Sequence, residues 1–325
     1  MDITEYLGSW DRPLDFDSYW DKKLEFINSV PLDYELTEVE FSNFDNVKYY
    51  DLYFTSFDGA RIYAKFIKPV SNGEVPALFY FHGYPGCNRN WFEKTAYASL
   101  GYAVFAMDFR GQGGKSQDIG GILGTTVAGH IVAGIDDELD NMIYVKNILD
   151  MCLLIRIAKD IEGIDANNIN CAGGSQGGGF ATMCAGLNDI KKCIILYPFL
   201  SDMKKVYDLD LDLVAYESIR YYTRWFSSTG ENDEKLFNRL AYIDAKNFAP
   251  RVKSKVLFGA SNIDVICPIE TQFAVYNNLN CEKELVLYKK YGHENIPDFN
   301  TKTARFLLED KQRKQVCKLT YFAKL

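Results

Sequence analysis

Apolar residues along this chain gather into short, dense runs with longer mixed stretches between them. VPALFYFH, YAVFAMD, NINCA, KCIILYP, KVLFGA and ELVLYKK are six such runs. Short apolar runs without polar alternation read as strands buried on both faces, and length separates them from helices. The stretches between them can hold crossover helices, which makes the strands parallel. Ahead of these, YYDLYFTSF and ARIYAKFI are separated by Asp58 and Gly59. An Asp-Gly pair between two strand-like runs signals a hairpin, so these two strands are expected to be antiparallel. The pattern predicts an α/β fold: an eight-stranded, mostly parallel sheet with helices on both faces.

Two segments fall outside that alternation. From Asp15 to Val30, Phe16, Tyr19, Leu24 and Ile27 recur at near-helical spacing, which predicts a packing helix within an N-terminal helical extension over about 1–40. The connection from Phe199 to Pro250 is too long for one crossover helix and is rich in aromatic and charged residues. It is expected to be a helical insertion over about 200–250, after the sixth predicted strand, serving as surface packing, a cap or a subunit contact. No internal repeat interrupts this organisation, and residues 1–325 read as a single domain.

Composition narrows the class of partner. The net charge of -8 disfavours nucleic acid and anionic membranes, which reward basic patches. The first residues, MDITEYLGSW, lack the apolar core of a secretory leader, and no run is long enough to span a bilayer. The eight cysteines form no C-x-x-C pair, and with three histidines in the chain a zinc site is not expected. A cytoplasmic protein with reduced thiols follows, with neither metal nor organic cofactor.

The chemistry is concentrated at residues 171–180, CAGGSQGGGF, where a strand-like run meets a small-residue helix. Gly173-Gly174-Ser175-Gln176-Gly177 fits G-x-S-x-G, a strained strand-to-helix turn that exposes a nucleophilic serine. A serine hydroxyl needs a base, and in hydrolases with this elbow the chain order is serine, acid, histidine. Of His82, His130 and His293, only His293 follows Ser175. Asp264 and Asp202 both come just after a predicted strand; Asp264 is preferred because its strand immediately precedes that of His293, with Asp202 as runner-up.

Acyl transfer also requires oxyanion donors. One is expected from the Gln176 backbone N–H, and another from FHGYPG, where Pro85 has no N–H and Gly83 or Tyr84 remains. His82 and the Gln176 side chain are read as structural. Arg110, in FRGQGG, is expected to fasten loops near the site through its planar donors.

Three separated segments, RGQGG at 110–114, GGSQGG at 173–178 and GHE at 292–294, together with DFDSYWDKKL, FHGYPG and D-x-x-C-P, carry a resemblance. The chain resembles carbohydrate esterase family 7, the acetyl xylan esterases and cephalosporin C deacetylases of the α/β-hydrolase fold. The resemblance implies Ser175 as nucleophile, Asp264 as acid, His293 as base, and the Tyr84 and Gln176 amides as the oxyanion hole. It places Arg110, Gln112 and Glu294 as structural residues near the site. It further implies small acetylated carbohydrates as substrates and a homohexamer. DELDNMIYVKNILDMCLLIRIAKDI departs from the family's tyrosine-rich run, and Ile269 stands where a second proline is common. The rival readings are a peptidase or other acyl hydrolase with the same triad and, from another class, a non-catalytic binding module.

Overall fold

The computed structural model describes residues 2–88, 90–126, 129–211 and 215–322, with side chains to residue 309. Its centre is one nine-stranded sheet in the order β1-β2-β3-β5-β4-β6-β7-β8-β9. The predicted hairpin is β2 (Val47–Thr55) and β3 (Arg61–Pro69), paired antiparallel through the Asp58-Gly59 turn. The six apolar runs are β4 (Val75–Phe81), β5 (Ala103–Met107), β6 (Ile164–Gly174), β7 (Lys192–Leu196), β8 (Lys255–Ser261) and β9 (Lys283–Tyr288), all mutually parallel.

The expected count of eight is corrected by β1 (Tyr34–Glu38), an edge strand that pairs antiparallel with β2. Its sequence, YELTE, leaves four of its five side chains exposed. Such a strand is held by ladder hydrogen bonds rather than by burial, so it has no apolar signature.

Adjacent residues of the central strands feed opposite faces. On β4, Leu78 joins Ala172, Ile194, Leu257, Phe299 and Phe306 in one core, while Phe79 and Phe81 join Cys171, Ile195 and Phe258 in the other. The first core lies under α2 (Phe92–Ser99) and α10 (Pro297–Phe322). Across the sheet lie α3 (Ile143–Asp160) and α4 (Gln176–Leu187), with α1 (Phe16–Ser29) packed on α3. Helix α3 is buried nearly all round because neighbours cover it on two sides, which explains its dense apolar sequence.

The long connection between β7 and β8 contains α5 (Met203–Asp208), α6 (Glu217–Phe226), α7 (Asp233–Leu240) and α8 (Ala245–Phe248). Helix α9 (Ile269–Asn278) then separates β8 from β9. At the start of the insertion Asp202 is fully buried and accepts hydrogen bonds from the Tyr6 hydroxyl at 2.5 Å and from the Ser9 amide at 3.0 Å and hydroxyl at 2.8 Å. That carboxylate ties the N-terminal segment to the insertion.

A second buried ion cluster joins the hairpin to the helical layer. The Arg110 guanidinium, fully buried, donates to Asp150 of α3 at 2.6 and 2.8 Å and to Asp58 of the hairpin turn at 2.6 and 2.9 Å. Its backbone N–H donates to Asn147 at 2.8 Å. Removing the cation would leave the buried Asp150 carboxylate, with the partly exposed Asp58 beside it, without their shared donor. Arg110→Ala is expected to lower unfolding free energy by about 3–5 kcal/mol, and Arg110→Lys, which loses the two-sided fork, by about 2 kcal/mol or more. Denaturant unfolding followed by circular dichroism measures both.

Candidate active site

The strand β6 ends at Gly174 and α4 begins at Gln176, leaving Ser175 alone at the turn with φ 56° and ψ -125°. A non-glycine residue there is strained by about 1–3 kcal/mol. Three main-chain bonds hold it: the Ser175 N–H donates to Leu196, and its carbonyl accepts from Gly179 and Phe199. The turn is possible only where the backbones nearly touch. A Cβ on Gly177 would lie 2.2 Å from the Phe81 carbonyl oxygen, whereas one on Gly174 would meet only side chains, the nearest at 3.6 Å.

Loops at the same sheet edge complete the site. His293 follows β9, and its Nε2 lies 2.9 Å from Ser175 Oγ, while its Nδ1 lies 2.8 Å from Asp264 Oδ2. The carboxylate next to Nδ1 assigns the imidazole proton there, leaving Nε2 to accept from the serine hydroxyl. Asp264 follows β8 and is buried. Its Oδ1 accepts from the Ile266 and Cys267 amides at 2.8 Å, and its Oδ2 from the Ser261 hydroxyl at 3.1 Å. The imidazole packs on Tyr197 with ring centroids 4.7 Å apart, and the Tyr197 hydroxyl donates to the Glu294 carbonyl at 2.9 Å. The Glu294 carboxylate accepts from the Gly292 N–H, closing the turn around His293.

The loop after β4 approaches from the other side, and a Cβ on Gly83 would lie 3.9 Å from that of Ser175. Among the described residues, neither the Tyr84 nor the Gln176 backbone N–H donates to another group. Gln176 is the first residue of α4, where amides have no intrahelical acceptor. Its side chain is buried and paired reciprocally with Gln112, at 2.9 and 2.8 Å, and accepts from the Tyr144 hydroxyl at 2.8 Å. Arg110 lies at the base of the loop that carries Gln112. His82 accepts from the Phe109 amide at 3.2 Å and braces the same loop.

Of the residues named from sequence, Ser175, His293 and Asp264 thus lie in one hydrogen-bonded line. Asp202 is elsewhere, committed to Tyr6 and Ser9. Sequence reasoning gave no part to Tyr144, Ser261 or His130. The last places one ring nitrogen 2.9 Å from the Gly111 carbonyl and the other 3.1 Å from the Tyr84 hydroxyl. Tyr144 and His130 act through partners distant in the chain, which no local spacing marks; Ser261 lies three residues before Asp264, but that single spacing singles out no serine.

Asp264, Cys267 and His293 place possible ligand atoms within 4.8 Å of one another. Their chemistry fits hydrogen bonding better than a metal. Burial, with Asp264 nearby, pushes the Cys267 thiol well above its usual pKa and so away from the thiolate a metal would bind.

A serine at a strand-to-helix elbow of a mostly parallel sheet, served by side chains from the last two strands' loops, defines an α/β-hydrolase. The chain belongs to the acetyl xylan esterase (AXE1) family, whose profile matches residues 1–310. The solved acetyl xylan esterase 1 of Thermoanaerobacterium sp. JW/SL YS485 is 43% identical with a TM-score of 0.91, covering 94% of this chain and 97% of that one. The acetyl xylan esterase of Paenibacillus sp. R4 is 30% identical with a TM-score of 0.89 and the same coverage. The acetyl esterase Axe7A of Xylanibacter ruminicola is 27% identical over 286 residues; the match takes in 85% of this chain but 62% of that protein's length. The acylaminoacyl peptidase of Pyrococcus horikoshii, 18% identical with a TM-score of 0.60 over 84% of this chain and 43% of its own, shares the fold.

The contrast between the two glycines gives a direct test of the elbow. Gly177→Ala is expected to lower stability by about 3 kcal/mol or more, whereas Gly174→Ala should remain within about 1 kcal/mol. Thermal unfolding of the two variants beside the parent measures the difference.

Proposed function

We propose that this protein is a serine esterase that removes acetyl groups from small acetylated carbohydrates, short xylo-oligosaccharides among them. The hydrogen-bonded line from Ser175 through His293 to Asp264 carries the proposal, in a chain whose family is named for acetyl xylan esterases.

In this mechanism Ser175 Oγ attacks the acetyl carbonyl carbon as its proton passes to His293 Nε2. Asp264 holds the imidazole through Nδ1 and stabilises its charged form without taking the proton. The Tyr84 and Gln176 N–H groups donate to the developing oxyanion, and neither has another acceptor among the described residues. Collapse of the tetrahedral adduct breaks the bond to the sugar oxygen, which takes the proton from His293. Water then repeats the sequence on the acetyl-enzyme, releasing acetate and restoring Ser175. No step calls for a metal or organic cofactor. The acetyl ester of cephalosporin C offers the same carbonyl and is included as a substrate. The family resemblance also supports a homohexamer, with the N-terminal segment and the insertion at subunit contacts, and the reduced-thiol reading of the cysteines supports a cytoplasmic location; sedimentation measurement of the mass checks the assembly.

Ser175→Ala should reduce kcat on an aryl acetate by about 10³-fold or more, and turnover like that of the parent would end the proposal. Asp264→Asn should cost kcat about 10⁴-fold, while Asp202→Asn should leave the rate near that of the parent and weaken the N-terminal tether. Loss of activity in the Asp202 variant alone would reassign the acid.

A further inference from the structure

The cavity at Ser175 continues well beyond the space an acetyl group can fill. The part touching Ser175 and His293 has a volume of about 320 Å³. A further part of about 640 Å³ shares with it Tyr80, Glu93, Lys94, Tyr97, Asn295 and Asn300. These six residues come from β4, from α2 and from the chain at the start of α10. The channel therefore leads away from the site between α2 and α10.

Its walls have a distinctive chemistry. Lys94 is buried at 4% exposure, with its ammonium 3.2 Å from the Glu93 carboxylate and 5.2 Å from the centre of the Tyr80 ring. An ammonium has three donors, and the contact with Glu93 uses one direction. The Glu93 carboxylate at the end of that contact is itself 66% exposed. The Tyr80 and Tyr97 rings lie 5.5 Å apart. Burial raises the pKa of both phenols, so both remain donors. Neither phenol, and neither carboxamide of Asn295 and Asn300, has a hydrogen-bond partner among the described residues.

A hydrocarbon in this channel would desolvate an ion pair, two phenols and two amides and satisfy none of them. A ring with hydroxyls on its edge and C–H groups on its faces would engage both the polar groups and the aromatic walls. The position also suits the departing alcohol. The leaving oxygen must come within hydrogen-bond reach of His293 Nε2, and His293 lines the same cavity from which the channel leads away.

We propose that this channel is a carbohydrate subsite: it seats sugar units of the leaving group, with Lys94 and Tyr97 as specificity-determining residues. This deepens, and for its catalytic role rests on, the esterase reading above.

The binding arm of the test uses the Ser175→Ala protein titrated with unacetylated xylotriose by calorimetry. Saturable binding is expected, weakened about tenfold or more when Lys94→Met is added. Tyr97→Phe, which keeps the ring and removes only the hydroxyl, should weaken it in the same direction. Absence of xylotriose binding, or equal binding with and without these substitutions, overturns the subsite. In protein with Ser175 intact, the ratio of kcat/KM for acetylated xylotriose to kcat/KM for an aryl acetate should fall about tenfold in Lys94→Met, chiefly through KM. Equal losses on both esters, or a shift of preference toward longer acyl chains, would make the channel something other than a sugar subsite. Should Ser175→Ala hydrolyse the aryl acetate like the parent, the esterase reading fails, and the xylotriose titration still decides the subsite.

Discussion

One buried guanidinium connects the parts of the molecule that must agree for the site to form. Arg110 leaves the sheet after β5 and grips the hairpin turn through Asp58 and α3 through Asp150. Two residues on, Gln112 grips Gln176, the residue whose backbone N–H stands beside the serine. Desolvating three charges is expensive, and their attraction repays this only with good geometry on both sides of the fork. The cluster is therefore best understood as a device of registration. It makes the antiparallel hairpin, the helical layer and the nucleophile elbow mutually dependent.

The elbow depends on the sheet in a second way. Ser175 is held in its strained conformation by main-chain bonds to Leu196 and Phe199, at and just beyond the end of the neighbouring strand β7. His293 and Asp264 arrive from the loops after β9 and β8, which are themselves paired in register. The three functional groups thus converge at the ends of parallel strands whose spacing is set by backbone hydrogen bonding. The side chains need only short reaches from a rigid edge.

Much of this was legible in the chain. Strands buried on both faces appear as apolar runs, so all six parallel strands and the hairpin could be read, and the glycine cluster marked the elbow. The edge strand β1 was not, because an exposed strand held by its ladder has no reason to be apolar. Asp264 and Asp202 illustrate a different boundary. Both follow a strand, and local pattern made them near equals; they are separated by Tyr6 and Ser9, nearly two hundred residues upstream of Asp202. Tyr144 and His130 were hidden for the same reason, since a lone hydroxyl or imidazole acquires meaning only from what folding brings beside it; Ser261 sits three residues before Asp264, but one serine at that spacing makes no pattern.

The brace behind Gln176 is made of two carboxamides and one phenol. Burial pushes the Tyr144 phenol well above its ordinary pKa, and the amides do not titrate at all. Within this brace itself no group changes its charge near neutral pH. Its hold on the residue that carries the oxyanion amide therefore rests on directional bonds between uncharged groups, which dissolved salt screens far less than it screens an ion pair.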